Sequence, residues 1–345
     1  MPIDPSFLPP AASPDDPTVE RERLPVAAVT ETPLSEATPH IGHTILFGFL
    51  VAFAGFVVGL VFALALGHVA PHLHESVEQM QTDPRIVIPV EAIVYAVAAA
   101  AAFLIFPLFW QRPFSDGVHW RGLVAEQRWW VLVLIGVATS LVVQFLSNFL
   151  PIPKELPIDK FFTNPLGVWL IAIFGVTVAP AFEELAFRGF LLPSLATAWD
   201  WLAWRLRPRT LLAADVHGIP EGEWQQQATM YSSLPPEGSA VFHHLGPEAA
   251  KRATSNTDPR WSVPALVFST VITSIGFAML HGAQLAHSFA PLSVLFAVSV
   301  VLCVTRLRFH SLAASTLVHS MYNATIFVLL FISTSGFRHL DKLGK

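Results

Sequence analysis

Seven stretches of this chain are long and apolar enough, or nearly so, to cross a lipid bilayer as helices. They run over Thr44–Val69, Ile86–Trp110, Trp129–Leu150, Gly167–Leu195, Trp261–Gly282, Phe289–Leu307 and His310–Ile332. A hydrocarbon core about 30 Å thick takes roughly 20 helical residues. Backbone groups in that solvent must be satisfied within the segment, which leaves helices or closed barrels. The sequence therefore predicts an all-α, multi-pass transmembrane bundle of about seven spans, with eight as the alternative. The first run carries no charge from Thr44 to Leu66 and follows a long polar tail, unlike a secretory signal peptide. Trp110, Trp129, Trp130 and Trp261 sit at span ends, where an aromatic belt belongs.

Composition agrees with a bilayer as the solvent. Of 345 residues, 53% are hydrophobic and only 13% are charged. A water-soluble domain carries about 25% charged residues, so an ordinary cytosolic enzyme is excluded. The net charge of −5 gives no global basic field, and no nucleic-acid partner is expected. The single cysteine, Cys303, rules out an internal disulfide framework and a cysteine-based zinc site. It sits in an apolar run and reads as a small buried hydrophobe.

Four regions are expected. Residues 1–42 are rich in Pro, Ala, Thr and acidic side chains, without apolar periodicity, and read as a disordered tail. Residues 43–165 hold the N-terminal spans. Residues 166–333 form the core, with a polar insertion at about 199–260. Residues 334–345 are a C-terminal tail. The insertion opens on Trp199-Asp-Trp-Leu-Ala-Trp-Arg-Leu-Arg, which suggests an interfacial amphipathic helix. Its His217, His243 and His244 read as solvated loop residues. The excess of Lys and Arg falls on the segments that a cytoplasmic N-terminus would leave inside a cell membrane.

Charge at membrane depth costs about 2.5–3.5 kcal/mol per residue on insertion scales, so what remains there is conspicuous. The fourth span contains Glu183-Glu184-Leu-Ala-Phe-Arg188. Glu184 and Arg188 are i,i+4 neighbours and suit a charge-assisted pair. Glu183 points about 100° away, so it is less neutralised and suits general-base work. The fifth span ends with Phe277-Ala-Met-Leu-His281. The seventh holds Ser315, His319 and Asn323 on one face. A carboxylate can take a proton from water while histidine and asparagine donate to a developing oxyanion. Those parts add up to amide hydrolysis without a covalent nucleophile. No Gly-x-Ser-x-Gly elbow is present, and His74-Glu75 lacks the rest of a zincin motif.

In this order, Glu183-Glu184-x-x-x-Arg188, Phe277-x-x-x-His281 and His319-x-x-x-Asn323 resemble the intramembrane proteases of the CPBP, or Abi, family. That family includes type II CAAX prenyl endopeptidases and bacteriocin-processing enzymes. The resemblance covers about Gly167–Ile332. It implies that Glu183 activates water with help from His281. Glu184 and Arg188 would shape the site, and His319 and Asn323 would form its oxyanion face. The implied substrate is a membrane-associated peptide or lipidated protein. No cofactor is expected, because asparagine is a poor zinc ligand and a good oxyanion donor. Zinc on two histidines and a glutamate is the alternative. A non-catalytic scaffold or bacteriocin-immunity-type protein is the rival from another class. A transporter would need a repeat that is not visible.

The catalytic reading requires a water-accessible cavity near the midplane, because simple rods would place Glu183 and His281 at different depths. Pro180 and Pro193 offer kinks. The remaining polar positions read as structural. Ser140, Gln144 and Ser147 share a face that could join helices. Gly55-Phe-Val-Val-Gly59 is a packing motif that could serve a homodimer. Glu91, about two turns into the second span, reads as a carboxylate paired near the interface.

Overall fold

A computed structural model describes residues 39–69, 83–151, 153, 156–162, 165–206 and 261–340, with side chains of 66–69 excepted. The expected tail up to residue 38, His74-Glu75, the three insertion histidines and residues 341–345 lie outside the described residues. Among the described residues there is no strand. The long helices are α1 (Ile41–Val69), α2 (Pro84–Trp110) and α3 (Trp129–Ser147). They are followed by α4 (Pro165–Val176), α5 (Val178–Glu184), a π-helical segment (Leu185–Leu191) and α6 (Leu192–Arg205). The chain continues with α7 (Val263–Leu280), α8 (Phe289–Phe309) and α9 (Leu312–Ser333). Among the described residues seven stretches are long and apolar enough to cross a membrane; the fourth is the composite Pro165–Arg205 of 41 residues. The protein is a multi-pass helical bundle.

The helix boundaries have local causes. Asp83 caps α2, accepting from the backbone N of Arg85 at 2.9 Å and from its guanidinium. Those hydrogen bonds hold the Asp83 carboxyl below the usual carboxylate range. Ser262 caps α7 through Ala265 N, and Ser311 caps α9 through Ala314 N. Asp200 of α6 binds both the backbone N and the hydroxyl of Ser262, so α6 and the start of α7 are clasped together. The stretch from Trp199 is not a separate interfacial helix. It is the last part of α6, within the composite fourth stretch, with Trp201 and Trp204 exposed and Arg205 over the Trp201 ring.

Lipid tails are as apolar as leucine, so close packing rather than water exclusion holds such helices together. Exposed Phe49, Phe53, Phe56 and Leu64 cover α1. Inside, Phe47, Phe106, Trp110, Phe182 and Phe190 join α1, α2, α5 and the π segment. A second cluster, Leu132, Val298, Leu302 and Val318, places α9 against α3 and α8. The α3–α9 approach depends on Gly136: a Cβ there would lie 2.6 Å from the Val318 carbonyl oxygen and 2.8 Å from Met321 Cβ. Gly55 faces Val94 of α2, whereas Gly59 faces open space. The polar face of α3 bonds within its own helix, Gln144 to Ser140 and Ser147 to Val143, rather than to a neighbour. Intrahelical carbonyls supply those partners locally. Cys303 is fully buried, with its Sγ 3.9 Å from the Ser274 hydroxyl.

Candidate active site

The fourth span is not a rod. Pro180 has no N–H for the carbonyl of Val176, and its ring crowds that carbonyl. The helix accordingly breaks at Thr177, which has φ −116° and ψ −71°. The Thr177 hydroxyl donates back to Ile173 O at 2.6 Å, a bond that favours bending. Beyond Glu184 the chain widens into the π segment, a form often found at functional sites. The short α5 between these irregularities presents Glu183 and Glu184.

Glu184 and Arg188 are both wholly buried, and Arg188 Nη1 donates to Glu184 Oε1 at 3.0 Å. Arg188 Nη2 donates to the backbone oxygen of Ser299 at 3.1 Å and to its hydroxyl at 2.6 Å. The guanidinium lies 4.7 Å from the Phe277 ring centroid. Glu184 Oε1 also accepts from His319 Nδ1 at 3.1 Å. The expected pair is thus the anchor for the histidine of α9.

Glu183 stands apart from that anchor. Its Oε1 is 4.0 Å from His281 Nε2 and its Oε2 is 3.7 Å from His319 Nε2. The Glu183 side chain keeps 13% of its surface exposed, against 0% for Glu184. Hydrogen bonding fixes the tautomers. His281 Nδ1 lies 3.0 Å from the Phe277 carbonyl, which can only accept, so that nitrogen carries the proton. His319 Nδ1 likewise donates to a carboxylate. The Nε2 atom of each ring then faces Glu183. Gaps of 3.7 and 4.0 Å are too long for direct hydrogen bonds and suit a bridging water. Phe277 fills the space between, with its ring near both imidazoles.

Five of the six expected side chains therefore meet: Glu183, Glu184, Arg188, His281 and His319. The sixth, Asn323, bonds to α4. Its Nδ2 donates to Gly175 O at 2.6 Å, in the last turn before the Thr177 break. The break supplies a partner that periodicity could not show. Asn323→Ala is expected to cost about 1 kcal/mol of stability. If that bond is the whole role of Asn323, activity should fall far less than after loss of Glu183; thermal unfolding and cleavage rate measured on one preparation check this.

Glu91 is paired, as the sequence suggested, but not away from the chemistry. It accepts from the Tyr95 hydroxyl at 2.8 Å and lies within electrostatic range of Glu183 and His281. Sequence spacing relates residues only within a helix, so this meeting of α2 with α5 left no signal. Beside the site is an apolar cavity of about 690 Å³, bordered by Tyr95, Ala99, Phe103, Val178, Phe182 and Leu185. Glu183 itself does not line it. Among the described residues no three His, Cys, Asp or Glu side chains are grouped to hold a metal ion.

Residues 165–231 and 248–325 match the family model for type II CAAX prenyl endopeptidase Rce1-like proteins. No curated protein and no solved structure matches the chain significantly. All seven motif side chains fall inside the matched segments. Over those segments the chain is similar to CAAX protease-like membrane peptidases.

Proposed function

We propose, from the match of residues 165–231 and 248–325 to the Rce1-like family model, that the chain is an intramembrane endopeptidase that hydrolyses a peptide bond with glutamate-activated water. The observation that carries this reading is Glu183, placed between two histidine Nε2 atoms whose rings are each anchored through Nδ1.

In this reading a water molecule donates one hydrogen to Glu183 and the other to His281 Nε2. Glu183 removes the first proton as the water oxygen attacks the peptide carbonyl carbon. The carbonyl π pair moves onto its oxygen, giving a tetrahedral oxyanion. His319 stabilises that oxyanion by donating from Nε2. With Nδ1 committed to Glu184, it can do so only as an imidazolium. One positive ring would offset Glu183, while Arg188 offsets Glu184. The oxyanion then collapses and the C–N bond breaks. The leaving nitrogen takes its proton from the Glu183 carboxyl, giving a carboxylic acid and an amine. Asn323 contributes by fixing the helix break that presents Glu183. The adjoining cavity would receive an apolar or lipidated part of the substrate.

Among the described residues no three His, Cys, Asp or Glu side chains are grouped to hold zinc, and this reading is written without one. No step is assigned to a metal. The chain is placed in the cell membrane with its N-terminus cytoplasmic, following the bias of basic residues. Cleavage of a membrane peptide by wild type, Glu183→Gln and His319→Ala tests the reading. Loss in both variants, with folding retained, supports it. Wild-type rates in both would remove the assigned site and favour a binding scaffold.

A further inference from the structure

The second span brings one more polar pair to this region. Tyr95 and Glu91 are one helical turn apart and share a face of α2. The Tyr95 hydroxyl donates to Glu91 Oε1 at 2.8 Å. The Tyr95 ring lies flat on Phe182, with centroids 3.9 Å apart and 11° between planes. Phe174 of α4 and Phe47 of α1 complete the aromatic support, the first against Tyr95 and the second against Phe182.

Phe182 is the residue immediately before Glu183. It belongs to α5, which has only 7 residues and lies between the Thr177 break and the π segment. It is interrupted at Thr177 on one side and passes into the wider π winding on the other, so neither side extends it as a regular α-helix. Its orientation must be held from outside. Both Tyr95 and Phe182 also border the apolar cavity, so one side of the stack is open space. A stacked ring beside a cavity can slide; a ring tethered through its hydroxyl cannot.

We propose that the Glu91–Tyr95 hydrogen bond is a positioning device for Glu183. Glu91 fixes the tyrosine ring, the ring fixes Phe182, and Phe182 fixes the direction of the next side chain. Neither residue touches the reacting atoms in this proposal. It rests on the assignment of Glu183 as the base. A misplacement of about 1 Å can cost roughly 100-fold in rate, so a small slip of α5 would be visible in kcat.

The test is steady-state cleavage of one membrane peptide by the purified full chain and four variants, with thermal midpoints recorded. Glu91→Gln keeps an acceptor for Tyr95 and is expected to hold kcat within about 3-fold. Glu91→Leu and Tyr95→Phe are each expected to lower kcat about 10-fold or more, with KM nearly unchanged. The double variant Glu91→Leu/Tyr95→Phe should be no worse than either single one, because both remove the same bond. Wild-type kcat in Glu91→Leu would overturn the proposal. So would equal losses in Glu91→Gln and Glu91→Leu, which would make the charge rather than the bond decisive. Additive losses in the double variant would overturn it too. Glu183→Gln, run alongside, separates the two failures. If it is inactive while Glu91→Leu is normal, only the positioning proposal fails; if it cleaves normally, the assignment of the base fails with it.

Discussion

Arg188→Leu is expected to destabilise the protein by about 3–5 kcal/mol, the cost of leaving one partner of a buried ion pair uncompensated. Arg188 is wholly buried and has no access to water that could replace it. Removing it strips Glu184 of its cation and Ser299 of its donor. The carboxylate would remain between α5 and α9 with His319 as its remaining charged neighbour. The experiment is the apparent unfolding midpoint in detergent at one scan rate. The double variant Glu184→Leu/Arg188→Leu is expected to lose less than Arg188→Leu alone, because no uncompensated charge is left inside. An unchanged midpoint in Arg188→Leu would mean that the pair does not hold α5 against α8 and α9.

Glu183→Gln is expected to do the reverse: little change in stability and a large loss of rate. The amide is nearly the same size, and Glu183 makes no direct hydrogen bond that the fold needs, only the 3.7 and 4.0 Å approaches to the two histidines. Glutamine cannot accept the proton of water. The expected loss in kcat is on the order of 10²–10⁴-fold, the usual contribution of a general base. Substrate binding should change little, since the cavity walls are untouched. A combined loss of stability and activity would instead point to a structural carboxylate. Full activity would remove Glu183 from the mechanism.

The contrast between these two adjacent glutamates was legible in the sequence. Glu184 has a cation at i+4 and Glu183 does not, and helix geometry sends them to different sides. The spans were legible for a simpler reason: an apolar run of bilayer length has few other destinations. The depth problem between Glu183 and His281 was visible as well, but its solution was not. Pro180 announces a kink; it does not say that Thr177 will close the preceding turn or that seven residues after Glu184 will widen into a π segment. Those outcomes depend on which carbonyls find partners, and the partner of Gly175 is Asn323, 148 positions away. For the same reason Asn323 looked like an oxyanion donor. It has the right chemistry and sits one turn from His319, and its Nδ2 also meets the carbonyl of Gly175 at the helix break. Glu91 shows the limit from the other side. Its place about two turns into α2 and its partner are both seen in the structure. That α2 packs on α4 and α5, bringing it near Glu183, is a tertiary fact.

Cleavage of a membrane peptide by the purified chain after exhaustive chelation, with bound metal quantified in the same sample, tests glutamate-activated hydrolysis most directly. The account predicts an undiminished rate with no stoichiometric metal. A rate that vanishes on chelation and returns with zinc would contradict it, and so would the absence of cleavage before and after chelation.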